Sequence, residues 1–221
     1  MAPRILFEQE LELLKKKVAE MGVRAEHSFN RLLVAVENND REIFTQLLDN
    51  DRHMVDMQRS IEAKCLTLLT RQQPVARDLR IVSAALKVVS DIERIGDHVT
   101  DLSELFLRME EDFLLSEKAP VLAGMMKETD KMIHSAVEAF VKEDITAAQE
   151  VITQDDVIDD YFNQVKNQLL QDIRTQDPDA DKVVDFLMMA KYLEKIGDHG
   201  VNIAQWAIFQ KTGDIDDVRL L

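Results

Sequence analysis

One hexapeptide occurs twice in this chain. Glu93-Arg94-Ile95-Gly96-Asp97-His98 returns 101 positions later as Glu194-Lys195-Ile196-Gly197-Asp198-His199, with only Arg94 exchanged for Lys195. Upstream the agreement continues at an offset of 104: Asp40 matches Asp144, Asp51 matches Asp155 and Ile61 matches Val165. The three-residue difference falls around Pro74 and Pro178, in loops, where length changes are tolerated. The 221 residues therefore read as two copies of one unit.

What the unit lacks decides what it contains. There are 6 glycines and 4 prolines, where an average chain of this length has roughly 26 of the two together. Turn chemistry is too scarce for a many-stranded sheet, and strong helix formers dominate. Pro74, Pro120 and Pro178, with Asp40, Asp144 and Asn38–Asn39, cut the chain into six helical stretches: 4–37, 40–70, 76–112, 119–142, 145–174 and 180–211. The expected fold is all-α, two three-helix repeats over 1–116 and 117–221. No Gly/Ser linker separates them, so they are expected to pack side by side.

Within the third stretch Ile81, Ala85, Val88, Ile92, Ile95, Val99, Leu102 and Phe106 recur at steps of four and three, the buried seam of a bundle. Glu93, Asp97 and Asp101 stack beside it at i, i+4 and i+8. In the sixth stretch Leu193, Ile196, Gly200 and Ile203 carry the seam, and Glu194, Asp198 and Asn202 the ridge beside it. Like charges at this spacing cost a few tenths of a kcal/mol per pair. A hard cation bridging them offsets that cost, and carboxylate oxygen suits magnesium, calcium, manganese or iron. The fifth stretch adds Asp155-x-x-x-Asp159 and Asp156-x-x-x-Asp160; the second offers Asp51, with His53 or Asp56, but Val55 where the fifth has Asp159. The competing reading is a solvated face salt-bridged by Arg94 and Lys195.

Gly96 and Gly197 lie mid-helix, which points to close helix approach. His98 and His199 each point roughly 100° away from the Asp that precedes them, Asp97 and Asp198, and read as packing or outer-face residues. Met125, Met126, Met188 and Met189 read as core filler, and Trp206 as an anchor at the end of the seam. Arg80, Lys87 and Arg94, at i, i+7 and i+14, read as a solvated face. Cys65 sits in an apolar run and has no cysteine to pair with, so a buried thiol is expected.

Composition excludes several functions. With 27 basic against 42 acidic residues the net charge is −15, which disfavours nucleic acid and anionic lipid. Metal cations or basic patches on a partner fit better. No apolar run approaches the roughly 18 residues of a membrane span. Glu8, Glu10 and Glu12 interrupt the first stretch, unlike a signal peptide, so a cytoplasmic protein without membrane insertion is expected. Glu-x-x-His, His-Glu-x-x-His, a Gly-rich phosphate loop and Cys-x-x-Cys are all missing, so no enzyme is expected.

Taken together these residues resemble the PhoU family of phosphate-transport accessory and regulatory proteins. The resemblance spans essentially the whole chain. It rests on Arg4, Phe7, Glu10-Leu11, Leu14 and Met21-Gly22, on Gln73-Pro74-Val75-Ala76-Arg77-Asp78-Leu79-Arg80, and on both hexapeptides, which are similar to the family's E(D)xxxD metal motif. It implies two three-helix bundles related by a pseudo-twofold axis, and metal ions or clusters of iron, zinc, manganese or magnesium. By position it implies metal ligands Asp51, Glu93, Asp97 and Asp101 in the first repeat and Asp155, Asp159, Glu194 and Asp198 in the second. Val55 and Asn202 depart from the family pattern. The implied role is a non-enzymatic adaptor, a homodimer, between the phosphate ABC transporter ATPase and its sensor histidine kinase. That adaptor restrains uptake and starvation signalling when phosphate is plentiful. No phosphate cradle is visible in the residues, so phosphate is expected to be sensed through the partners. A metal-storage or redox bundle is the alternative.

Overall fold

A computed structural model describes residues 3–48, 51–71, 75–110, 113–175, 179–215 and 218–219, without the side chains of Pro3, Asp51, Arg71, Lys118, Thr175 and the last residues from 215 on. Its helices are α1 (Pro3–Asn38), α2 (Arg41–Leu48), α3 (Asp51–Arg71), α4 (Ala76–Leu107), α5 (Leu115–Lys118), α6 (Pro120–Lys142), α7 (Ile145–Thr175) and α8 (Ala180–Thr212). A short antiparallel ribbon, β1 (Asp214–Ile215) with β2 (Val218–Arg219), follows α8. No helix among the described residues is long and apolar enough to cross a membrane.

The repeat is visible in how the helices start and stop. Asn39 and Glu143, 104 positions apart, both take left-handed φ values, 50° and 54°. The next residue's N–H closes each helix, Asp40 onto the Ala35 carbonyl (2.8 Å) and Asp144 onto that of Ala139 (2.9 Å). Those aspartates then cap the following helix. Asp40 accepts from the Glu42 and Ile43 N–H groups, and Asp144 from those of Thr146 and Ala147. At the other loop Asp179 caps α8 by accepting from Asp181 N–H, and Pro120 takes the first turn of α6, where its missing N–H costs nothing.

Every residue of the two predicted seams is buried. In the first repeat α1, α3 and α4 pack together; in the second, α6, α7 and α8 do. The halves join through equivalent helices, α4 against α8 and α1 against α6. Pairing of like with like is the mark of a twofold relation. Val137 lies against Gly22 on the α1–α6 seam, where a Cβ would stand 2.6 Å from a Val137 methyl.

Two boundaries differ from the sequence expectation. The single stretch 40–70 is described as α2 and α3, and residues 49–50 between them lie outside the described set. In the first repeat Phe44 of α2 stacks on Phe106 of α4 (5.5 Å), where the second has Ala148 and Ala207. The Leu47 carbonyl, near the end of α2, meets the Thr100 hydroxyl (3.5 Å), where the second repeat has Val201. These contacts tie α2 to α4 in the first repeat. The stretch expected to reach 112 ends as α4 at Leu107, whose carbonyl, with that of Met109, accepts from the Arg41 guanidinium.

Candidate metal centre

In the second repeat the seam of α8 turns Glu194 and Asp198 toward α7, which presents Asp155 and Asp159. Burial pushes the Asp155 carboxyl up to about 6, aided by the charges of Asp159, Asp198, Asp156 and Glu194. Asp159 is raised for the same reasons, with Lys191 opposing. These four predicted residues therefore share one electrostatic environment. Gly197 makes the approach possible: a Cβ there would lie 3.1 Å from Asp155 Oδ1 and 3.3 Å from an Ile158 methyl. The mid-helix glycine is a space for a carboxylate. The equivalent Gly96 faces Met54, counterpart of Ile158, at 3.2 Å.

Cationic side chains sit on these carboxylates. Lys191 Nζ lies 2.7 Å from Glu194, and Lys195 reaches Glu194 (3.4 Å) and pairs with Asp198. Lys195 is held charged chiefly by its hydrogen bond to Asp198. In the first repeat Arg94 takes the same part, 2.9 Å from Asp97 and 3.7 Å from Glu93. The salt-bridged face weighed against metal is thus present, on the same residues as the metal motif. Among the described residues no three His, Cys, Asp or Glu side chains already converge as a cage.

The first-repeat residues have partners of their own. Glu93 and Asp97 share Arg94, while Asp101 meets His98 Nδ1 at 3.2 Å. Asp51 begins α3, and its side chain lies outside the described residues. His53 and Asp56 line a separate cleft of about 300 Å³ with Lys17, Glu20 and Ser60, away from the α4 ridge. In the second repeat Asn202 leaves its expected ridge and donates to Asp91 of α4 (3.0 Å).

The two histidines meet across the α4–α8 seam, ring centres 5.8 Å apart. His98 stacks on Tyr192 (5.2 Å), and burial pushes its imidazole below the usual range. His199 bonds Asp91 (2.9 Å), the counterpart of Tyr192. Their packing agrees with the helix-phase reading, but the partners could not be read from either copy alone. Cys65 is buried, its thiol pushed up to about 12 by burial and Glu62, which leaves it unreactive.

The second-repeat donors are all oxygen, held near one another with a cleared space at Gly197. That chemistry fits a hard cation such as manganese or magnesium, which takes carboxylate oxygens. When bound, such an ion would cancel the mutual repulsion and tie α7 to α8.

Comparison with known proteins places these features in context. The family model described as "PhoU domain" matches residues 18–106 and 122–207. The phosphate-specific transport system accessory protein PhoU homolog of Clostridium acetobutylicum is 31% identical over 218 residues, 97% of this chain and 99% of its own. The phosphate-specific transport system accessory protein PhoU of Escherichia coli is 26% identical, covering 94% of this chain and 86% of its own. The crystal structure of PhoU from Pseudomonas aeruginosa aligns with TM-score 0.88 at 28% identity, over 94% of this chain and all of that one.

Proposed function

The chain belongs to the PhoU family, and from that premise we propose that it is a non-enzymatic regulator of phosphate uptake and phosphate-starvation signalling. It links the phosphate ABC transporter ATPase to its sensor histidine kinase, in the cytoplasm and as a homodimer, and it binds metal ions on acidic helix faces. The match of one family model to both halves carries the regulatory reading, together with relatives named as accessory proteins of phosphate transport. The division into repeats 1–116 and 117–221 belongs to the same proposal.

The crowded carboxylates around Gly197 carry the metal part. Asp155, Asp159, Glu194 and Asp198 would hold the second-repeat ion. Glu93, Asp97 and Asp101, with Asp51, would hold that of the first. Iron, zinc, manganese and magnesium are the ions to test; the oxygen donors favour the harder ones. The net charge of −15 favours partner surfaces that are basic.

Two measurements test this. Elemental analysis of the untagged protein should find metal, lost when Glu93, Asp97, Glu194 and Asp198 are all changed to Ala. Equal metal content in both would overturn the metal reading. Pull-down from its own cells should recover the transporter ATPase or the kinase, and deleting the gene should release phosphate-starvation genes in high phosphate. A deletion that leaves those genes repressed would overturn the adaptor reading. Purified protein should show no tight binding of inorganic phosphate by calorimetry.

A further inference from the structure

The two repeats are alike enough that each serves as a control for the other, and beside the acidic ridge they differ. In the first repeat Gln58 of α3 donates to the Ser90 hydroxyl of α4 (3.3 Å), a neutral pair. At the equivalent positions, by the offsets of 104 and 101, the second repeat has Phe162 and Lys191. Lys191 Nζ lies 5.3 Å from the centre of the Phe162 ring and 2.7 Å from Glu194. One position further along the ridge, Lys195 pairs with Asp198 and reaches Glu194. The second repeat thus places two ammonium groups on its carboxylates, and the first places the Arg94 guanidinium on Glu93 and Asp97.

We propose that Lys191 and Lys195 are resident counter-cations that a divalent metal must displace, so that loading the second repeat frees two lysines on the α8 surface. This rests on the metal reading above. Lysine suits the part: its ammonium is a compact charge on a flexible stem and is readily rehydrated, whereas a guanidinium forks onto a carboxylate in a fixed plane. Phe162 gives Lys191 a second resting place, since the ring face attracts an ammonium with or without Glu194. The first repeat has Ser90 in place of Lys191.

The full-length protein, treated with chelator and then titrated with Mn²⁺, tests this. Lysine acetylation rates read by mass spectrometry should rise at Lys191 and Lys195 on saturation, while exposed Lys16 is unchanged. Lys191→Gln should tighten second-repeat Mn²⁺ binding roughly twofold to fivefold, the scale of one partly exposed ion pair. Ser90→Lys should weaken the first repeat by a similar factor. Binding of Mn²⁺ with unchanged acetylation at both lysines overturns the displacement and leaves the metal reading standing. No Mn²⁺ uptake by the wild-type chain overturns the metal reading and this proposal with it.

Discussion

At Gly197 one hydrogen atom stands where a methyl would press on a carboxylate. Alanine there gains about 1 kcal/mol of helix propensity, but its Cβ would meet Asp155 Oδ1 at 3.1 Å. We expect Gly197→Ala to keep the melting temperature and lose Mn²⁺ binding in the second repeat. Gly96→Ala, which meets only the flexible Met54 side chain, should leave that site intact. Asp155 gives a second expectation. Its folded pKa of about 6 lies above the ordinary 3.8, so the folded chain keeps this proton while the unfolded chain releases it. The resulting stability is full below about pH 4 and is lost as pH rises to about 6. In chelator-treated protein Asp155→Asn should flatten that slope in urea titrations from pH 4 to 6.5; an unchanged slope would count against the crowding. The spacing of these carboxylates was legible from the repeated hexapeptide. That Lys191 lies over Phe162 of α7 was not, because a helix ridge specifies neighbours along itself and leaves the facing helix and the rotamer open.

The turns between helices show how far element boundaries can be read. Asp40 and Asp144 announced their caps in the sequence, and both cap as expected. The contacts that α2 makes with α4 were hidden, because Phe106 and Thr100 lie more than 50 residues away from their partners. The left-handed Glu143 carries an unusual load for such a position. Its carboxylate joins Lys15 of α1 (2.6 Å) and Lys211 of α8 (3.1 Å), which hold it below the usual carboxylate range. Its stability contribution is present above the ordinary 4.5 and fades as pH falls through the lowered folded value. Glu143→Gln should therefore lower the melting temperature at pH 7, with the gap to wild type closing in acid. On the α1–α6 seam Gly22→Ala should cost about 1–3 kcal/mol, since the β-branched Val137 at 2.6 Å cannot turn aside. Chemical denaturation measures it.

Across the whole molecule the halves meet along two seams, a dense one of α4 on α8 and a sparser one of α1 on α6. Chains 1–116 and 117–221 expressed apart should bind each other one to one by size exclusion, and the intact chain should unfold in a single transition. Two separate transitions would show the halves to be independent. The all-α class and the doubling were legible from the repeat and from the scarcity of glycine and proline. The choice of contacting helices was not, since both halves carry the same apolar stripes. A seam that pairs like with like is what two identical half-length chains would build, and such a pair has interchangeable ends. Joined in one chain, the copies have been free to drift. Phe44 and Phe106 oppose Ala148 and Ala207, Gln58 and Ser90 oppose Phe162 and Lys191, and Asp91 opposes Tyr192. The molecule thereby has a direction: a binder gripping one end touches chemistry that is missing from the other, so two different proteins can be told apart by a body built from one repeated fold.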